Sequence, residues 1–501
     1  MRDRVADRLP ALEPVLLALA AGAAGVAGSF AVAGFTPDFV AGPIAGLMAR
    51  ALPGAVITFS IVVLGDLGTQ LSVLGAIALA VALFAAAAGA GWALGHRLGS
   101  RALGSAIAGL LTGAAALLVT GAVLPSLTAG LVAGLVLSLA AVGGTPTSAT
   151  AVSPARRRVL VGMAGALAFV VGGSVLGSRV NPVGAGGTDG ESLSLSPSLR
   201  ADADAKLAQA SDLSLAVDGL EPLVSDTFYT VDINATDPAL AADDWTLSVT
   251  GAVDEELTYT YDDILAREPE NQFVSLRCVG ESLNGRKMDN ALWTGIPIMD
   301  LVEPAGVEAG CCVMLRAADG FYEEFPLSAL QDGFLAYGMN GNALPRGHGY
   351  PARALIPGHW GEINVKWLTE IEILDQEADG YWEERGWHGT GPVNTVAKLH
   401  VQNRLDDGRL EVGGHAYAGT RGIRTVEVST DGGASWAEAT LSESLPGDDV
   451  WRQWIHRYEP PDAAHEVVVR AIDGDGVRQP REESSSFPSG PSGWVKRTIR
   501  P

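Results

Sequence analysis

The feature that most constrains this chain is a set of uncharged apolar runs confined to its first 180 residues. A helix needs about 20 apolar residues to cross the hydrocarbon core of a bilayer. Uncharged stretches cover residues 14–37, 67–96 and 102–155, and a further apolar run covers 159–178. The 102–155 stretch is long enough for two helices and breaks near Leu124-Pro125. Five spans are therefore expected, near 13–35, 70–94, 103–123, 126–143 and 159–178. Residues 38–66 are interrupted by Pro43, Arg50 and Pro53, which predicts a re-entrant or interfacial segment in place of a sixth span.

Arginine placement orients such a bundle, because cytoplasmic loops carry the excess of Lys and Arg. Arg2, Arg4 and Arg8 precede the first span, Arg97 and Arg101 separate the second and third, and Arg156, Arg157 and Arg158 precede the fifth. With five spans these fall on one side and only Arg50 lies opposite. The expected arrangement is a multi-pass cell-membrane protein with a cytoplasmic N-terminus and an extracytoplasmic C-terminal part, in contact with membrane lipid. Arg156-Arg157-Arg158-Val159-Leu160 has a second reading as a twin-arginine export signal, beside plain charge flanking. The spans hold a single histidine, His96, and the chain has no Cys-x-x-Cys-His. No haem is expected within the chain, since a transmembrane haem needs two axial ligands. No charge sits in mid-span, which argues against ion or proton transport.

Composition changes abruptly near residue 180. Residues 1–180 carry 10 Lys/Arg against 5 Asp/Glu, whereas residues 181–501 carry 24 against 52. The acidic part excludes nucleic acid as a partner, because a phosphate backbone requires a basic face. Dispersed acidity with only 5 Lys among 34 basic residues resembles the surfaces of halophilic proteins. Three cysteines cannot build a disulfide framework. Cys311 and Cys312 are adjacent, so a bridge between them would be strained, and they are expected as small core residues of a strand.

These shifts predict a multi-domain chain. An α-helical transmembrane bundle at 1–180 is followed by a Gly-, Ser- and Asp-rich linker at 181–225. An α+β domain at 226–390 precedes an immunoglobulin-like β-sandwich at 391–490 and a tail at 491–501. Alternation predicts strands over 245–251, 273–277 and 365–373, and a short helix starts at Tyr261. Past 391 the pattern is all β: strands near 397–401, 410–414, 424–429, 451–456 and 466–471, with a turn at Asp431-Gly432-Gly433, suggest the sandwich. Cys278 stands at the end of the 273–277 strand and is followed by Val279-Gly280. That position holds a thiol on a rigid element and offers it to a cavity.

The stretch Ala336-Tyr-Gly-Met-Asn-Gly-Asn-Ala-Leu-Pro-Arg-Gly-His348-Gly-Tyr-Pro-Ala-Arg353 resembles the signature of the sulfite-oxidase-type molybdopterin enzymes. It is followed at the family's spacing by Ile356-Pro357-Gly358 and Asn364-Val365-Lys366-Trp367-Leu368. Gly413–Trp436 and Trp451-Arg-Gln-Trp resemble the family's C-terminal dimerisation domain. The resemblance covers about residues 226–490 and implies a molybdenum-molybdopterin (Mo-MPT) cofactor with Cys278 as the protein ligand to the metal. A thiolate is a soft anionic donor suited to that role. His348 and Arg353 would hold the pterin and its phosphate, for which an Arg fork is suited. Asn364, Val365 and Lys366 would add backbone donors and one ammonium, and Tyr229, Thr230 and Asp319 are weaker matches. Arg421 falls where a pocket arginine is expected, and Trp387 aligns with the active-site tyrosine.

The departures bear on substrate. Val231 stands near the first sulfite-binding arginine, and Glu281-Ser282-Leu283-Asn284 replaces the arginine pair that follows the ligand cysteine. A pocket poorer in positive charge holds a dianion less well. The expected activity is two-electron oxo transfer on a small substrate, with electrons leaving singly to a separate carrier or a haem-containing membrane partner, and a homodimer possible through the C-terminal domain. Sulfite oxidation competes with reduction of a sulfoxide. A non-enzymatic membrane-tethered binding module and a cysteine-nucleophile hydrolase are the readings from other classes.

Overall fold

The computed structural model describes residues 9–143, 153–180, 195–307 and 310–500, so Arg2, Arg4 and Arg8 lie outside the described residues. The chain divides by packing into two units. One contains residues 1–52, 65–187 and 232–239, and the other residues 53–64, 188–231 and 240–501. This division departs from a simple cut at residue 180 in two places. Residues 53–64 belong with the C-terminal unit, and residues 232–239 with the helical one.

The first unit is helical: α1 (Leu9–Ala33), α2 (Ala41–Ala51), α4 (Asp66–Arg97), α5 (Arg101–Thr120), α6 (Val123–Gly143) and α7 (Pro154–Val180); α3 (Gly54–Phe59) lies between α2 and α4 in sequence. Five stretches within these helices, Leu12–Ala33, Gln70–Arg97, Arg101–Thr120, Val123–Gly143 and Pro154–Val180, are long and apolar enough to cross a membrane. The break in the longest run falls a little before the proline. Gly121 (φ +70°) closes α5 in a left-handed cap and its N–H returns to Leu117 O, while Pro125 sits in the first turn of α6, where a missing N–H costs nothing. Helices α5 and α6 approach through glycine: a Cβ on Gly109 would stand 2.8 Å from Gly130 O, so only hydrogen fits. Residues 41–64 do not form one straight span, since Ala41–Ala51 and Gly54–Leu64 are bent by 114° around Leu52-Pro53.

In the second unit, α8 (Pro197–Leu213) forms within the segment expected as a linker. Ser196 caps it, its Ala203 and Ala210 are buried, and Asn271 Nδ2 donates to Leu199 O and Asp202 Oδ2. The reason the helix escapes composition is that its buried face is made of alanine, which gives little apolar contrast.

Two sheets follow, one mixed and one antiparallel. The first is built from β1 (Thr246–Gly251), β2 (Leu257–Thr260), β5 (Cys312–Ala317), β6 (Tyr322–Pro326) and β10 (Leu368–Leu374), in the order β2-β1-β10-β5-β6, with β1 and β10 parallel. The second contains β3 (Glu270–Arg277), β4 (Met288–Pro297), β7 (Phe334–Met339), β8 (Asn342–Ala343) and β9 (Arg353–Leu355), paired antiparallel. The strand expected from 365 begins only at Leu368, because Trp367 takes a left-handed backbone (φ +51°) that ends regular pairing before it. Cys311 and Cys312 are joined in a disulfide at the edge of β5, with Cys311 exposed and Cys312 buried. They are not the two reduced core thiols expected from their apolar neighbours.

The C-terminal region is β-rich. One antiparallel sheet holds β11 (Val396–Ala397), β12 (Val401–Arg404), β13 (Leu410–Tyr417), β16 (Thr440–Leu441) and β17 (Arg452–Tyr458). The other holds β14 (Ile423–Ser429), β15 (Ala437–Glu438), β18 (His465–Asp473) and β19 (Val495–Ile499). Val412, Trp454, Val426, Val469 and Ile499 share one core drawn from both sheets. The expected tail is therefore an edge strand, with β19 paired from Val495 to Ile499 against β18.

Candidate active site

Strand β3 is buried along most of its length and ends at Arg277, so Cys278 leaves it from a fixed point. The Cys278 N–H donates to Lys287 O at 2.9 Å, which closes the loop 279–286. That loop is held by a buried ion-pair network. Glu281 accepts from Arg277 Nε at 2.8 Å and from Lys398 Nζ at 2.6 and 2.8 Å, and it also takes the Lys287 N–H at 3.0 Å. Arg277 and Lys398 are both fully buried, and the Arg277 guanidinium also lies over the Trp360 ring. Buried charges are tolerated only when paired in this way. Glu281, noted in the sequence only as a departure, is the clamp of the cysteine loop.

Beside the thiol the chain packs so closely at Gly280 that no side chain fits there. A Cβ there would stand 3.9 Å from Cys278 Sγ, 3.7 Å from Trp387 Cη2 and 2.8 Å from Ile61 Cγ2. Burial pushes the Cys278 thiol up to about 11, against a smaller downward pull from Lys287. A thiolate at this position therefore needs a cation beside it. Trp387 is buried, and its indole Nε1 has no hydrogen-bond partner among the described residues. Glu362, which opposes ionisation of the thiol, is itself pushed up to about 8 by burial and by Glu383.

The motif residues converge on one another. Arg353 donates from Nη1 to His348 O at 3.1 Å and from Nη2 to Asn364 O at 2.8 Å, and its guanidinium faces the Trp293 ring. Asn364 accepts the Ile356 N–H at 2.7 Å and donates to Trp360 O, while Val365 O takes the Ala354 N–H. Lys366 Nζ donates to Gly347 O at 2.9 Å. Gly349 (φ +111°) allows the close fold: a Cβ would stand 3.0 Å from both Arg353 Cβ and Lys366 Cβ. Burial and the two cations push His348 down to about 3, so its imidazole is neutral. Tyr229 ties the two groups together. Its neighbour Phe228 packs edge-on to His348, and both Cys278 and Arg353 lie close enough to act on the Tyr229 hydroxyl. Its N–H donates to Asp289 Oδ2 at 2.6 Å.

Not every expected residue joins this group. Arg421 is committed elsewhere, to Asp473 Oδ2 at 3.2 Å, Val393 O at 2.7 Å and Thr395 Oγ1 at 3.3 Å. Asp319 accepts the Phe321 N–H in a tight turn, and Thr230 is exposed.

Comparison with known proteins agrees with this geometry. Residues 234–382 match the family described as "Oxidoreductase molybdopterin binding domain", and residues 393–489 match the "Mo-co oxidoreductase dimerisation domain". Within residues 234–489 the chain is thus similar to the molybdopterin-binding and dimerisation domains of sulfite-oxidase-type enzymes. It is 28% identical over 297 residues to mitochondrial sulfite oxidase of Rattus norvegicus, covering 48% of this chain and 54% of the relative. It is 26% identical over 320 residues to the NADH nitrate reductase of Solanum lycopersicum, covering 49% of this chain and 35% of that one. The chain thus spans about half the length of the sulfite oxidases it matches. The sulfane dehydrogenase SoxCD of Paracoccus pantotrophus aligns at 20% identity and TM-score 0.46, covering 63% of this chain and 92% of that structure.

The residues present here fit a Mo-MPT cofactor. The half-buried Cys278 thiol lies beside Gly280, and a neutral imidazole, an Arg fork and an ammonium are tied together in the adjoining motif. Among the described residues no cluster of three or more His, Cys, Asp or Glu side chains could hold a separate metal ion.

Proposed function

We propose that the second unit faces outward from a cell membrane and performs two-electron oxo transfer on a small substrate, with Cys278 as the protein ligand to molybdenum. The observation that carries this is the convergence of the Cys278 thiol and the Trp387 ring at Gly280, with Tyr229 within reach of both the thiol and Arg353. The cofactor, when bound, supplies the exchange of an oxygen atom and the storage of two electrons. The protein supplies the rest. Arg353, His348, Lys366 and the backbone around Asn364 and Val365 hold the pterin and its phosphate. The Glu281 clamp fixes the thiol, and the unpartnered Trp387 N–H is a donor for a substrate oxygen.

Electrons would leave singly to a separate carrier, which a haem-containing membrane protein could supply. The five apolar helices would anchor the chain with the N-terminus cytoplasmic. The two C-terminal sheets, as an immunoglobulin-like sandwich, would support a homodimer. Reduction of a sulfoxide is favoured over sulfite oxidation, because Arg277 and Arg421 are already bound to Glu281 and Asp473.

Molybdenum and pterin analysis of the purified chain tests the central claim. Wild type should carry about one molybdenum per chain and Cys278→Ala should lose activity entirely. Wild type lacking molybdenum under cofactor-replete expression would sink the reading. Turnover assays with sulfite and with sulfoxides then decide the direction.

A further inference from the structure

The segment between α2 and α4 has no role in the reading above, yet it reaches the thiol. Residues 53–64 form α3 and a π-helical turn, Ser60–Leu64, and belong to the same unit as Cys278. Single π turns recur at functional sites because they aim one side chain out of the helical register. At one end, Gly54 lies against the 381–389 segment, where a Cβ would stand 3.0 Å from Arg385 O and 3.1 Å from Arg385 Cα. At the other, Ile61 packs in the cluster that contains Val279, Trp360 and Trp387. Its Cγ2 is the nearest atom to the point where a Cβ on Gly280 would stand, closer than Trp387 or the thiol. Trp387 is backed by Trp382 and Phe487 at ring distances of 6.2 and 5.2 Å. The surroundings of Gly280 beside the thiol are therefore apolar, made of a branched aliphatic side chain and of aromatic rings packed edge to face.

Charged neighbours do not alter these apolar surroundings: Glu281 is already bound by Arg277 and Lys398, and burial holds Glu362 largely uncharged at neutral pH. An oxyanion entering here would leave water for the apolar surface of Ile61 and the Trp387 ring, which is unfavourable. A neutral polar group carrying small alkyl substituents would keep its dipole on the Trp387 N–H and bury its alkyl groups on Ile61.

We propose that Ile61, presented by the Ser60–Leu64 π turn, is a specificity-determining residue that makes the site select uncharged, alkyl-substituted oxides over oxyanions. This deepens the proposed function and rests on it.

The test uses the full chain in detergent, loaded with molybdenum, and compares kcat/KM for dimethyl sulfoxide and for sulfite. Wild type should favour the sulfoxide. Ile61→Arg should lower the sulfoxide-to-sulfite ratio at least tenfold at unchanged molybdenum content, and Ile61→Ala should raise activity on a bulkier dialkyl sulfoxide relative to dimethyl sulfoxide. Val63→Ala, on the same turn but 63% exposed, should leave both ratios unchanged. Loaded Ile61 variants with ratios within twofold of wild type would overturn the proposal. If they fail to fold, wild type alone decides. Inhibition by dimethyl sulfone but not by sulfate supports the proposal, and the reverse order overturns it. Absence of molybdenum from wild type is a different failure, that of the underlying function, and takes this inference with it.

Discussion

The two units hold themselves together by opposite means. In the helical unit the contacts are between small residues, as where Gly109 meets Gly130, and its buried core is mostly alanine. Arg158 and Glu13 form a side-chain ion pair there. In the catalytic unit, by contrast, fully buried cations and carboxylates lie within the fold: Arg277, Lys398 and Glu281 form one network, and Tyr417 Oη donates to Asp449 Oδ1 at 2.6 Å. The difference is the one expected if the helical unit lies in a membrane, as proposed, and the other unit in water. Helices in lipid gain nothing from burying apolar surface against each other, so close backbone approach must hold them. A unit folded from water gains that energy, and can spend part of it on buried charges that fix a loop.

That contrast can be broken from either side. The largest effect is expected from Glu281→Ala, which leaves Arg277 and Lys398 buried without their shared carboxylate. Breaking a buried pair costs about 3–5 kcal/mol. Denaturant unfolding should show the catalytic unit failing, with molybdenum retention lost, while the far-ultraviolet signal of the helical unit persists. Loss of under about 1 kcal/mol would show that the network is not the clamp of the cysteine loop. On the other side, Gly130→Val forces a branched side chain against the Gly109 and Gly113 backbones, where a Cβ on Gly130 would already stand 2.5 Å from Gly109 O and 3.0 Å from Gly113 Cα. Overpacking of this kind costs about 1–3 kcal/mol, read as a lower melting temperature of the helical unit with activity of the catalytic unit retained. Smaller again is Tyr417→Phe, which removes the donor to Asp449 and to Ser275 O and should cost about 1–2 kcal/mol in the denaturant midpoint.

What the sequence made legible divides along the same line. The five apolar helices could be read because hydropathy is a property of each segment alone, and only the break between α5 and α6 moved, from Pro125 to Gly121. His348, Arg353, Asn364, Val365 and Lys366 could be read because they lie within 19 residues of one another, in one motif that folds back on itself. What could not be read depended on partners far apart in the chain. Glu281 and Lys398 are separated by 117 positions, and nothing local marks either as buried. Ile61 lies in an apolar run where hydropathy gives no sign that one side chain turns toward a thiol. The α8 helix was hidden by its alanine face, and β19 by a short, charged sequence that pairs only through its backbone.

The smallest effect concerns pH, and it sharpens the contrast because only the catalytic unit should respond. Burial pushes Glu362 up to about 8 and Asp449 to about 7, with Glu221 and Glu324 also at about 7. A carboxyl group held above its unfolded value stabilises the folded chain at low pH and loses that contribution as pH rises through the folded value. Buried histidines act in the opposite sense, but His348 and His415, held down to about 3, and His400, at about 4, change stability only below their unfolded value of 6.5. Lys398, lowered by burial to about 8, adds its own rise chiefly above that pH. Between pH 6.5 and 7.5 the carboxyl groups therefore act nearly alone, and stability should fall. The more exposed Glu221 and Glu324 add little because solvent screens them. Glu362 and Asp449 together should remove about 1–2 kcal/mol over that unit. Denaturant midpoints at fixed ionic strength measure it: a lower midpoint at pH 7.5 than at 6.5 is expected, with Glu362→Gln and Asp449→Asn each flattening the slope. A midpoint that rises across the window would mean that these carboxyl groups are ionised in the folded chain, and that the interior beside Cys278 is far wetter than its packing implies.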